Sequence, residues 1–318
     1  MTTILQPEDA EAASFLGLSG PRDRSLPRTA LFLLLAIGLG GLAALVAGLA
    51  LTLVFAAQHV ATGRASLGDA IGVLVDSGRV PRSLFSYAYE FSVAGLTTYA
   101  AAAVALLLAA RIYARPQRTF LTAASRFRWR LVGAGLVVAA PLVALQFLVE
   151  RLASVEVIHA PILTPGANVG ERLGYGVVAA GCLYLAAFSE EALFRGWLLQ
   201  QTGVRTRSLA IILAVNGVFF SLAHFDPSVT GFLVRAVMGA GWAWLALRTA
   251  GVEFTTGAHL ANNLFVALFV APVKFVAPKA APFDIRPALT ELALMGIMIA
   301  AVELWTRGRS RAAEQAVA

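Results

Sequence analysis

Charged residues and cysteine are scarce in this chain of 318 residues. Only 14% of the residues are charged and 58% are hydrophobic, whereas soluble domains carry roughly 25% charged residues. This composition excludes an ordinary soluble domain and predicts an integral membrane protein. The single cysteine, Cys182, excludes an intrachain disulfide, and its apolar neighbours predict that it packs against other side chains.

Acidic residues are outnumbered by basic ones, which gives a formal net charge of +7. The basic residues stand in short loops and towards both ends of the chain, and the densest group falls between 111 and 130. This distribution is typical of cytoplasmic loops that face anionic lipid. We therefore expect membrane lipids as partners and no nucleic acid, in a multi-pass protein of the cell membrane with both termini in the cytoplasm.

Long apolar runs predict the fold. A helix needs about 20 apolar residues to cross a bilayer, and a spanning segment is helical because lipid cannot satisfy the backbone N–H and C=O groups. The candidate spans are 30–57, 91–110, 131–149, 175–199, 209–224, 231–247, 254–270 and 289–305. The sequence thus predicts an all-α polytopic membrane protein, with about eight transmembrane helices enclosing an intramembrane catalytic cavity.

Polar residues able to do chemistry are concentrated in the later spans, and this divides the chain into four parts. Residues 1–28 are predicted to be a polar cytoplasmic arm, 29–174 a scaffold of three transmembrane helices with their loops, 175–306 a catalytic transmembrane core, and 307–318 a basic cytoplasmic tail.

Two adjacent glutamates stand inside the fourth span, followed by an arginine. Residues four apart share a helix face, whereas neighbours point about 100° apart. Glu191 and Arg195 are therefore expected to form an ion pair, while Glu190 points elsewhere. An ionisable residue inside a membrane is a functional hypothesis by default, and Glu190 suits a general base that activates water. In the alternative interpretation, both glutamates are structural partners of Arg195.

Two of the four histidines fall in other spans. His224 shares a helix face with Phe220, and His259 shares one with Asn263. A single intramembrane histidine often only links helices, but two histidines beside a glutamate favour chemistry. Glu190, His224 and His259 would supply the two-histidine, one-carboxylate set of a catalytic zinc site. The carboxamide of Asn263 would either donate to an oxyanion or link helices.

These residues lie at different depths on a simple map of eight crossings. His224 falls near the far end of the fifth predicted span, and His259 falls near the start of the seventh. Their meeting in one site therefore requires tilted or offset helices, or a re-entrant segment.

Three motifs follow one another in the segment 175–270: Glu190-Glu191-x-x-x-Arg195, Phe220-x-x-x-His224 and His259-x-x-x-Asn263. In this order they resemble the CPBP family of intramembrane proteases, which contains the type II CAAX prenyl endopeptidases and bacteriocin-processing or self-immunity proteins. The resemblance implies an eight-helix membrane fold and endopeptidase activity. It implies that Glu190 activates water with His224, and that His259 and Asn263 stabilise the tetrahedral oxyanion. Both a metalloprotease and a metal-free glutamate mechanism are argued for this family, so a divalent metal such as zinc stays open.

We therefore expect an intramembrane endopeptidase that hydrolyses a peptide bond of a membrane-associated protein or peptide, prenylated or not. Two other functions fit the same residues. One is a non-proteolytic immunity or scaffold protein that binds a partner through the polar cavity, and the other is a proton-coupled transporter that uses the glutamates and histidines as a relay. Transporters often contain internal repeats and paired broken helices, which the sequence does not show, so the transporter is the weaker alternative.

Overall fold

The computed structural model describes residues 15–61, 84–153, 160–270 and 282–317. Eight helices of 13 or more residues lie in these ranges, besides three short 3-10 helices. They are α1 (Leu26–Ala61), α2 (Leu84–Tyr113), α3 (Trp129–Ala153), α4 (Val169–Gly203), α5 (Leu209–Leu222), α6 (Val229–Arg248), α7 (Glu253–Phe265) and α8 (Arg286–Val317). No β-strand occurs in the described ranges. The predicted all-α polytopic fold is confirmed.

Two of the helices contain a wider π-helical turn. The α4 helix is α-helical as far as Glu191, becomes a π-helix over Ala192–Leu198, and ends with a short α-helical segment. The α7 helix continues into a π-helix at Val266–Val270. Neither turn is predicted by the sequence pattern, because both segments are largely apolar and the one charged residue in them, Arg195, fits an ordinary α-helical spacing from Glu191.

Length and composition separate the helices into two groups. Six of the described helices are long and apolar enough to cross a membrane: α1, α2, α3, α4, α6 and α8. The α5 helix is apolar but has only 14 residues, and α7 has 13 before its π-helical turn. The fifth predicted span therefore ends two residues earlier than expected, so His224 lies in the turn that follows α5.

Large apolar side chains cover the outside of the bundle as well as its core. On α1, Leu34, Ile37 and Val54 are all more than half exposed, as expected for side chains that face lipid acyl chains. The interior contains a cluster in which Phe220, Trp242 and other large side chains from α3, α5, α6, α7 and α8 pack together. The candidate site lies against this cluster.

Ion pairs join segments at one end of the bundle. Arg128 binds both carboxylate oxygens of Glu253 at the start of α7, with N–O distances of 2.9 and 2.8 Å. Arg115 binds Asp23 at 3.1 Å. These two arginines belong to the basic group expected to face lipid, but they instead hold the bundle together. The predicted polar arm is also packed from Phe15 onward, because Phe15 and Asp23 are fully buried.

The α3 and α7 helices approach each other closely because each presents a glycine to the other. A Cβ added at Gly135 would collide with the backbone of Phe254, and one added at Gly257 would collide with that of Val132. Close backbone approach at small residues is a common basis of helix association in membranes. Because α7 carries His259, this contact also helps to set the position of the site.

Gly135→Ala is expected to lower the stability of the bundle by about 1–3 kcal/mol, the usual cost of overpacking a tight contact. Gly133 provides a matched control on the same helix, because nothing lies within 4 Å of a Cβ added there, and alanine favours a helix by roughly 1 kcal/mol over glycine. Thermal unfolding of the purified proteins in one detergent measures both effects. Equal melting temperatures for the two variants would contradict the close α3–α7 contact.

Candidate active site

The structure brings five of the six predicted site residues into one connected group. Glu190, Glu191 and Arg195 come from α4, His224 from the turn after α5, and His259 from the second turn of α7. The simple map of eight crossings places these residues at different depths. In the structure they meet, because α5 is short and α4 is 35 residues long.

Glu191 and Arg195 form the predicted ion pair in the centre of the group. Their side chains are fully buried, and Arg195 Nη1 lies 2.9 Å from Glu191 Oε1. Arg195 Nη2 also donates to the carbonyl oxygen of Gly239 on α6 at 3.3 Å. Its guanidinium carbon lies 4.3 Å from the centre of the Phe220 ring, a cation–π distance. The pair therefore ties α4 to α5 and α6.

Gly239 lets α6 approach this group. An added Cβ there would lie 2.9 Å from Gly217 Cα and from Phe220 Cβ, which is too close for any side chain. The glycine thereby places its own carbonyl within reach of Arg195.

His259 is held in one tautomer by Glu191. Its Nδ1 lies 3.0 Å from Glu191 Oε1, and only a protonated nitrogen can donate to a carboxylate oxygen. The imidazole also packs on the Trp242 indole, with ring centres 4.4 Å apart. His259 Nε2 therefore faces away from Glu191, and it lies 3.8 Å from Glu190 Oε2.

His224 is oriented by the last turn of the preceding helix, α5. Its Nδ1 lies 2.7 Å from the carbonyl oxygen of Phe220, so that nitrogen carries the proton. The neutral ring then has a lone pair on Nε2, and this atom lies 4.0 Å from Glu190 Oε2. Phe220 thus has two roles, since its carbonyl orients His224 while its ring packs against Arg195.

Glu190 differs from its neighbour Glu191 in exposure and in partners. Its side chain is 25% exposed, whereas that of Glu191 is fully buried. Glu190 Oε2 has no hydrogen-bond partner within the described ranges, yet both histidine Nε2 atoms face it. Separations of about 4 Å are too long for direct hydrogen bonds but suit a bridging water molecule.

The fit of this group to a metal ion is poor. Tetrahedral zinc binds nitrogen and oxygen at about 2.0–2.2 Å, which places two ligands roughly 3.3 Å apart. The two separations of 3.8 and 4.0 Å are wider. Among the residues with described positions, no group of three or more His, Cys, Asp or Glu residues has an arrangement that could hold a metal ion. Zinc binding by Glu190, His224 and His259 stays a prediction, and no chemical step below depends on it.

Asn263, the sixth predicted residue, lies one turn beyond His259 on the same face of α7. Its Oδ1 accepts a hydrogen bond from Asn262 Nδ2 at 3.2 Å. This bond fixes the orientation of the carboxamide, and Asn263 Nδ2 donates to none of the residues in the described ranges. Asn262 therefore positions Asn263. The motif pattern gives no sign of this role, because neighbouring helix residues are assumed to point apart.

Arg235, for which the sequence suggests no partner, stabilises the turn that carries His224. It binds Asp226 Oδ2 at 2.6 Å, and Asp226 Oδ1 accepts from the backbone N–H of Ser228 at 2.9 Å. Partial burial raises the pKa of the Asp226 carboxyl, but the hydrogen bonds from Arg235 and Ser228 outweigh this effect and hold the pKa below its ordinary value. Asp226 therefore stays ionised, and the turn stays closed at neutral pH.

The chain is similar to known proteins over the segment that carries the candidate site. Residues 173–265 match the model of the family described as type II CAAX prenyl endopeptidase Rce1-like. This match confirms the resemblance carried by the three motifs, and at the family level it indicates a CAAX-type intramembrane protease. The chain is also 27% identical over 220 residues to the uncharacterized protein YyaK of Bacillus subtilis (strain 168), covering 64% of this chain and 71% of that protein. No solved structure matches.

Replacing the two neighbouring glutamates is expected to have different effects on stability. Glu191→Gln leaves Arg195 buried without its counter-ion and should cost about 3–5 kcal/mol. Glu190→Gln removes a carboxylate that has no such partner and should change stability by less than about 1 kcal/mol. Thermal unfolding of both variants in the same detergent makes the comparison. Equal losses of stability would contradict the separate roles of the two carboxylates.

Proposed function

We propose that this protein is an intramembrane endopeptidase that hydrolyses a peptide bond of a membrane-associated protein or peptide, prenylated or not. The observation that carries the proposal is the arrangement around Glu190 Oε2. Two histidine Nε2 atoms face this oxygen at 3.8 and 4.0 Å, and the oxygen is buried although the Glu190 side chain as a whole is 25% exposed. A water molecule bound between Glu190 Oε2 and His224 Nε2 would contact a carboxylate base and a second proton acceptor. The family match over residues 173–265 supports the same reaction class.

Glu190 is the proposed general base. A water bound between Glu190 Oε2 and His224 Nε2 attacks the carbonyl carbon of the scissile bond, and its proton moves to Glu190. The tetrahedral intermediate then collapses, the C–N bond breaks, and Glu190 returns the proton to the leaving amine. Atoms and charge balance without any other reactant. His224 orients the water, and the Phe220 carbonyl keeps its imidazole in place.

His259 and Asn263 are the proposed stabilisers of the oxyanion. Glu191 accepts from His259 Nδ1 and so orients the imidazole, whose Nε2, when it carries a proton, donates to the negatively charged oxygen. Asn263 Nδ2 adds a second donor, because its Oδ1 is already bound by Asn262. Glu191 and Arg195 position these groups rather than reacting themselves.

The setting of the reaction is proposed to be the cell membrane, with both termini in the cytoplasm. Six of the described helices have the length and composition of membrane spans, and the Glu190 and His224 side chains are 25% and 30% exposed. A substrate would therefore reach the site from the membrane or its surface. Membrane lipids are the proposed surrounding partners.

Protein termini provide a test that requires no known substrate. Membranes from cells that express wild type or Glu190→Gln at equal levels are compared by mass spectrometry of all protein termini. Termini that appear with wild type should be lost with Glu190→Gln, because removal of a general base typically lowers a rate by about 10²–10⁴-fold.

Glu171→Gln is the matched control for this comparison. Glu171 is an exposed glutamate in the first turn of the same helix, α4, where it bonds to the backbone of Asn168, and glutamine can keep that bond. Wild type and the control should yield the same new termini. If wild type and Glu190→Gln yield identical termini while both are folded and abundant, the immunity or scaffold function replaces the protease.

Chelation distinguishes the two chemical mechanisms. Purified protein with the substrate found above is incubated with a strong zinc chelator, and parallel samples receive a non-chelating isomer. We expect the same cleavage rate in both, since Glu190 and His224 can activate water without an ion. Loss of activity with the chelator alone, restored by added zinc, would favour the metalloprotease mechanism.

A further inference from the structure

One buried carboxylate oxygen of the candidate site lacks a hydrogen bond. Glu191 Oε1 binds two donors, Arg195 Nη1 at 2.9 Å and His259 Nδ1 at 3.0 Å. Glu191 Oε2 is also buried, and it has no hydrogen-bond partner in the part of the chain that the structure describes. A buried acceptor without a donor destabilises a protein, so a donor close to this oxygen would stabilise the site.

Thr255 stands on the face of α7 that carries the two motif residues. It precedes His259 by four residues and Asn263 by eight, a spacing that places the three side chains on roughly one face of the helix. The Thr255 side chain is fully buried. Its hydroxyl lies beside the Glu191 carboxylate, near enough to hydrogen-bond with it. Because Glu191 Oε1 already has two donors, Oε2 is the acceptor left for this hydroxyl.

The Thr255 hydroxyl is a surplus donor where it now bonds. The carbonyl oxygen of Val252 receives three donors: the backbone N–H of Thr256 at 2.8 Å, the Thr256 hydroxyl at 2.8 Å and the Thr255 hydroxyl at 3.0 Å. A carbonyl oxygen has two lone pairs, so two of these donors are enough to satisfy it. Thr255 makes the longest of the three contacts and has a second acceptor, the Glu191 carboxylate, beside it.

We propose that Thr255 is a positioning residue of the site, whose hydroxyl donates to Glu191 Oε2 and so fixes the carboxylate that orients His259. With donors on both oxygens, the plane of the Glu191 carboxylate is set, and so is the direction of the bond from His259 Nδ1 to Oε1. His259 Nε2 is thereby kept in the position from which it contacts the oxyanion. The effect on rate rests on the proposed protease function, whereas the hydrogen bond itself does not.

Two adjacent valine substitutions test the proposal with the substrate found by the comparison of termini. Thr255→Val replaces the hydroxyl with a methyl group of similar size. Thr256→Val is the matched control, because Thr256 is equally buried and bonds to the same carbonyl but points about 100° away. We expect Thr255→Val to lower kcat about tenfold, the effect of a lost hydrogen bond to a charged group. KM should not change, since the buried Thr255 touches no substrate.

Rescue distinguishes positioning from packing. Thr255→Ser retains the hydroxyl and removes only a methyl group, so its kcat should return to within about threefold of wild type, whereas Thr256→Val should stay within about twofold. Equal kcat values for the two valine variants would overturn the proposal. A Thr255→Val variant that raises KM and leaves kcat unchanged would do the same, and so would a Thr255→Ser variant no better than Thr255→Val.

Thermal unfolding in one detergent tests the hydrogen bond without any substrate. Thr255→Val should melt at least about 3 °C below Thr256→Val, because it alone loses the bond to the buried carboxylate, and Thr255→Ser should melt close to wild type. If Thr255→Val does not fold, Thr255→Ala and Thr256→Ala replace the two valine variants. Equal melting temperatures would overturn the proposal even for a protein that cleaves nothing. Wild type that yields no new termini would instead contradict the protease function alone.

Discussion

Glu191 and Arg195 carry opposite charges and are fully buried. The need to keep these two charges paired is the constraint from which the rest of the site follows. An isolated charge in such a place costs several kcal/mol, so the two must remain in contact at 2.9 Å. Arg195 is fixed further by the Gly239 carbonyl and the Phe220 ring. Glu191 in turn fixes His259. One ion pair thus sets the relative positions of α4, α5, α6 and α7.

Adjacent positions on a helix allow the two glutamates to differ in exposure and in their partners. The side chains point about 100° apart, so Glu191 turns into the bundle while Glu190 remains 25% exposed. Glu191 is neutralised by Arg195 and orients one histidine, and Glu190 keeps an oxygen towards which both histidines turn.

Local patterns predict the helices and the Glu191–Arg195 ion pair, but not the side-chain contacts that position the candidate site residues. The apolar runs and the spacing of Glu191 and Arg195 contain enough information, because each depends on neighbouring residues only. The pairing of Arg235 with Asp226 depends on the turn after α5, and the bond from Asn262 to Asn263 depends on how the end of α7 packs. The motif pattern therefore identifies residues that the fold brings together, while missing those that position them.

π-helical turns lie next to the candidate site residues in α4 and α7. The first begins at Ala192, directly after Glu191, and contains Arg195, and the second begins at Val266, three residues after Asn263; such turns are frequent at functional sites. Such a turn changes the hydrogen-bond register of the backbone. The α7 turn is supported by a bond from the buried Tyr175 hydroxyl to the Ala267 carbonyl at 2.7 Å. Because Tyr175 belongs to α4, this bond links the two helices that carry Glu190 and His259, and any shift of one helix is transmitted to the other.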